Sequence, residues 1–88
     1  MIRIALDTNI LAYAEGINDS FKQSAAIDLL QKLSNDSTVL PIQVLGELFR
    51  VLVRKGGKTP KTAGKLVLSW CDAFTVVETS SQVMLSAI

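Results

Sequence analysis

An apolar run, Ile2-Arg3-Ile4-Ala5-Leu6, ends abruptly in Asp7, then Thr8, Asn9 and a second apolar run from Ile10. A buried strand delivers an acid to the rim of a sheet in this way. In α/β proteins that rim is where ligands and metals bind. There Asp7 could hold Mg²⁺ or Mn²⁺, hard cations that want oxygen ligands. It could equally cap the next helix by accepting backbone N–H groups. The local pattern leaves these two readings level. Thr8 and Asn9 carry a hydroxyl and an amide that either orient a ligand or satisfy a helix start. Thr8 reads as structural, and Asn9 as a support for the acid.

Glu47 is the second acid of interest. It sits inside an otherwise apolar helix, pointing away from the stripe of Leu45, Phe49 and Leu52. Its bland role is a surface pair with Arg50 at i, i+3, a contact of about 0.2–0.5 kcal/mol. Architecture argues for another role. The helix follows a strand beside the first one, so its early turns overhang the same sheet edge as Asp7.

The remaining charge is segregated. Net charge is only +1, yet Arg50, Arg54, Lys55, Lys58, Lys61 and Lys65 hold six of the nine cations. No acid lies between Glu47 and Asp72. A basic segment on an otherwise acidic chain suits phosphate. It equally suits a solvated helix–loop–helix surface.

These side chains need elements to position them. Residues 2–6 read as a short, fully buried strand. Residues 8–15 continue as a helix, with Gly16 as its stop. Ser20 and Gln23 fit a capping box for a helix reaching residue 34, with a buried stripe of Ala26, Leu29, Leu30 and Leu33. Residues 38–40 form a second strand, and Pro41 opens a helix. That helix buries Leu45, Leu48, Phe49, Leu52 and Val53, and stops at Gly56-Gly57. Thr59-Pro60 caps and starts another helix, with a stripe of Ala63, Leu66, Val67 and Trp70. Residues 74–77 are a third strand. Thr79 begins a last helix carrying Val83, Met84, Leu85 and Ile88. Strands alternating with helices in the order βααβααβα imply a parallel sheet covered by helices.

With 88 residues the chain allows one domain, spanning 1–88. It holds no histidine, which excludes His-based acid/base chemistry and most zinc sites. Its one cysteine, Cys71, excludes an internal disulfide and suits a reducing cytoplasm. No apolar run reaches the roughly 18 residues of a membrane span, and no signal peptide is read.

The segment Ile4-Ala5-Leu6-Asp7-Thr8-Asn9-Ile10-Leu11-Ala12-Tyr13 resembles the opening motif of PIN domains. Pro41-Ile42-Gln43-Val44-Leu45-Gly46-Glu47-Leu48-Phe49-Arg50-Val51-Leu52 resembles their second motif. Phe74-Thr75-Val76-Val77 is similar to the family's third strand. The resemblance is closest to VapC-type toxins of toxin–antitoxin pairs. It implies a three-layer α/β fold, a parallel sheet flanked by helices, here cut off at its C-terminal end. It implies a Mg²⁺- or Mn²⁺-dependent endoribonuclease that cleaves single-stranded RNA. Asp7 and Glu47 match the family's first two acids, as catalytic metal ligands, with Thr8 and Asn9 supporting them. Arg50, Arg54, Lys55, Lys58 and Lys61 are candidates for RNA backbone contact. The expected partners are RNA, an antitoxin protein and a second copy of the chain, with no membrane. The family's later acids lie beyond the third strand. Asp72 precedes that strand and is not matched to them, and Glu15 reads as a solvated face or turn residue. The alternative is an inactive truncated module that binds an antitoxin or a homologous subunit.

Overall fold

The computed structural model describes residues 4–17, 20–33 and 37–78. Their elements are β1 (Ile4–Ala5), α1 (Thr8–Ala14), α2 (Ser20–Lys32), β2 (Thr38–Pro41), α3 (Ile42–Arg54), α4 (Pro60–Ala73) and β3 (Thr75–Val77). The expected last helix from Thr79, with Val83, Met84, Leu85 and Ile88, lies outside the described residues.

The three strands form one parallel sheet in the order β1-β2-β3. Ile4 pairs with Thr38 and Ala5 with Val39, while Leu40 pairs with Val76. The backbone N–H of Leu6 extends the ladder to the Val39 carbonyl at 3.0 Å. β2 is central and all four of its residues are buried. β1 is an edge strand, which corrects the expectation of full burial: Ile4 remains 43% exposed. Pro41 ends β2 and serves as the N-cap of α3, so the ladder and helix lose no donor they need.

Alternation along the strands puts Leu6, Leu40 and Val76 on one face. That face carries the core. Leu11 of α1, Leu48 and Leu52 of α3, and Ala63 of α4 are fully buried against it. Each buried leucine contributes about 1.5–3 kcal/mol of transfer free energy. α3 is the most one-sided of the helices, with Val44, Leu45, Leu48 and Leu52 buried at helical spacing. Phe49 and Val53 pack half-buried on the rim of this core.

The helix ends follow the residues that cap them. Thr59 accepts the Thr62 N–H at 3.2 Å, and Pro60 follows at the first helical position. Past α3, Gly57 takes φ +65, a left-handed conformation that favours glycine. A Cβ on Gly56 would stand 2.8 Å from the Leu52 carbonyl oxygen, so the chain turns there only without a side chain.

Two details of α2 depart from the sequence reading. Gln23 does not close a box on Ser20; its amide donates to the Ala14 carbonyl at 3.2 Å and ties α2 to the end of α1. Leu29 is exposed rather than buried, and Ala26 is the buried residue of this helix. Leu29 borders an open apolar groove that α2 forms with Ile10 and Tyr13 of α1, which leaves it accessible.

Thr38 is fully buried, yet its Oγ1 has no hydrogen-bond partner among the described residues. An orphaned buried hydroxyl costs about 1–3 kcal/mol. Thr38→Val therefore raises the free energy of unfolding by about that amount, measured by urea titration. Leu48→Ala lowers it by about 2–5 kcal/mol through the cavity it opens.

Candidate metal and phosphate site

Parallel pairing sets the site. β1 and β2 run side by side in one direction, so the helices that follow them start at the same sheet edge. Asp7 stands at the start of α1, between β1 and the helix. Glu47 lies five residues into α3, about 7.5 Å along its axis.

Asp7 is the N-cap of α1, with extended backbone, and its Oδ1 accepts the Ile10 N–H at 2.9 Å. The capping role is thus real. It occupies one oxygen, and Oδ2 accepts no hydrogen bond among the described residues. The carboxylate is exposed. A cap does not preclude a ligand, so the two readings of Asp7 are compatible.

Thr8 Oγ1 donates to Glu47 Oε2 at 2.7 Å, across 39 residues of sequence. This bond joins the two acidic segments directly. The alternative Glu47–Arg50 ion pair does not form among the described residues. The hydroxyl-to-carboxylate bond is short and charge-assisted, though exposed, and an exposed i, i+3 ion pair contributes only about 0.2–0.5 kcal/mol. Thr8 is therefore the residue that touches the second acid, a contact its local pattern, which reads as a helix start, does not show. Asn9 is exposed and lines the adjoining groove.

That groove has a volume of about 360 Å³ and is lined by Thr8, Asn9, Glu47, Arg50, Val51, Arg54 and Lys55. Glu47, Arg50, Val51 and Arg54 fall at i, i+3, i+4 and i+7, one face of α3 opposite the buried leucines. Val51, half-buried at i+4 from Glu47, supplies the apolar wall of the groove. Lys58 and Lys61 are exposed beyond the end of α3 and do not line the groove. Asp72 is exposed on the last turn of α4.

A second link was also missed. Trp70 Nε1 donates to Glu15 Oε1 at 3.2 Å, joining α4 to the end of α1 over 55 residues. Glu15 is half-buried rather than a solvated face residue. Trp70 also stacks on Phe74, with ring centroids 6.1 Å apart. The contact secures the far end of α1, whose first turn carries Thr8.

The donor set at the sheet edge is all oxygen: two carboxylates, a hydroxyl and an amide. Sulfur and imidazole are absent from it, as a hard cation prefers. Among the described residues no group of three or more acidic, cysteine or histidine side chains converges. Two carboxylates nonetheless suit Mg²⁺, which commonly takes one or two, keeps several waters and completes its shell with phosphate oxygens. Glu47 Oε1 accepts no bond within the described structure, so both acids have an oxygen to offer.

Asp7→Ala removes the cap and lowers stability by about 0.5–2 kcal/mol, whereas Asp7→Asn caps nearly as well and stays within a few tenths. Thermal unfolding of the two variants measures the difference, and separates the capping role from any role of the charge.

No model of a known protein family matches this chain, and no curated protein matches it either.

Proposed function

We propose that the chain is a PIN-type, Mg²⁺- or Mn²⁺-dependent endoribonuclease of single-stranded RNA, the toxin component of a toxin–antitoxin pair. The observation that carries this reading is the Thr8–Glu47 hydrogen bond. It supports the union of the two motif segments at one sheet edge, which the resemblance requires. In this reading Asp7 and Glu47 hold the metal. Thr8 fixes the Glu47 carboxylate, and Asn9 supplies a further polar contact beside it. When bound, the metal activates water and offsets charge on the phosphate. Arg50, Arg54 and Lys55 contact the RNA backbone in the groove, and Lys58 and Lys61 extend that contact past α3.

The three-layer architecture belongs to the same proposal. So do the antitoxin partner, pairing with a second copy through helices, and residence in the cytoplasm. No described helix is long and apolar enough to cross a membrane.

The test is cleavage of single-stranded RNA with Mn²⁺ by the wild-type chain, Asp7→Asn and Glu47→Gln. The expected result is metal-dependent cleavage by wild type and background in both variants, each folded by circular dichroism. Background cleavage by all three assigns the chain instead to the rival role of a non-catalytic binding module. Thr8→Val is expected to reduce cleavage at least tenfold with little loss of stability, because it frees the Glu47 carboxylate to rotate.

A further inference from the structure

The groove that Glu47 borders, with Thr8 and Asn9 next in sequence to Asp7, is positively lined. Glu47 is its single acid, while Arg50, Arg54 and Lys55 contribute three cations. None of these three makes an ion pair among the described residues, whereas Lys32 pairs with Asp28. Arg50 and Arg54 are one helical turn apart on the face that carries Glu47. Counting Asp7, three cations against two acids leave a local charge of +1 before any metal arrives.

A divalent cation approaching the carboxylates therefore meets repulsion from three fixed positive charges. A phosphate meets the reverse. Together the two ligands cancel what each lacks: the metal offsets the acids toward phosphate, and phosphate offsets the basic side chains toward metal. Resting on the nuclease reading above, we infer that Arg50, Arg54 and Lys55 make metal and nucleic-acid phosphate bind as a pair. The site takes up the cation weakly alone and more tightly once phosphate lies in the groove. Linkage makes the effect reciprocal: the metal tightens nucleic-acid binding by the same factor. All the groups are solvent-exposed, so the coupling weakens as salt rises. The arrangement also explains how two carboxylates suffice, since phosphate oxygens complete the cation's shell.

The experiment follows Mn²⁺ binding through the paramagnetic resonance signal of the free ion. Wild type and the Arg50→Gln/Arg54→Gln variant are compared. Each is measured alone and with a short single-stranded 2′-O-methyl oligoribonucleotide, corrected for ion held by the oligonucleotide itself. Wild type is expected to bind Mn²⁺ about tenfold more tightly with the oligonucleotide, within the range usual for coupled sites. An uncharged methylphosphonate strand gives no such gain. The variant binds Mn²⁺ alone more tightly than wild type, because repulsion is removed, and loses most of the enhancement. Equal Mn²⁺ affinity with and without the charged strand overturns the inference and leaves the metal reading standing. Unchanged or weaker Mn²⁺ binding by the variant alone also overturns it. Retention of no Mn²⁺ under any condition removes the metal reading, and the inference with it.

Discussion

Parallel pairing of β1 with β2 is the constraint from which the rest follows. Because the two strands point the same way, the chain leaves both at one edge and must begin a helix there each time. Asp7 and Glu47 lie 40 positions apart in sequence, yet the register of Ala5 on Val39 places their helices side by side. Leu11, Leu45 and Leu48 then hold α1 against α3. The Thr8–Glu47 bond is possible only because those apolar contacts fix the spacing first.

Packing and polarity are divided cleanly along α3. One face supplies Leu45, Leu48 and Leu52 to the core, and the other lines the groove with Glu47, Arg50 and Arg54. A single helix thus couples stability to recognition. The apolar face anchors it with several kilocalories of transfer energy, which lets the opposite face carry unpaired charge at a modest cost.

Much of the architecture was legible because its signals are local. Strong periodicity in α3 and α4, Pro41, Thr59-Pro60 and the glycines after Arg54 set the element order and most boundaries. Asp7 and Glu47 were legible as candidates from their apolar surroundings. What was not legible depends on contacts between distant segments. Glu15 reads as solvated until Trp70 arrives from 55 residues away. Thr8 reads as a helix start until Glu47 is seen to accept its proton. Leu29 reads as core because its spacing is right, but spacing cannot say how far a weakly amphipathic helix rolls on its neighbour. The exposure of Ile4 follows from strand order, which an isolated apolar run does not encode.

Trp70 is the chain's one tryptophan, and its position has a practical consequence. The indole is half-buried, stacked on Phe74 and hydrogen-bonded to a carboxylate on the opposite helix pair. Its fluorescence emission is therefore a built-in reporter of whether α4 is seated against α1. Intrinsic fluorescence follows the docking of these two helices without an added dye, and Trp70 does not line the groove, so the readout does not depend on a ligand touching the indole.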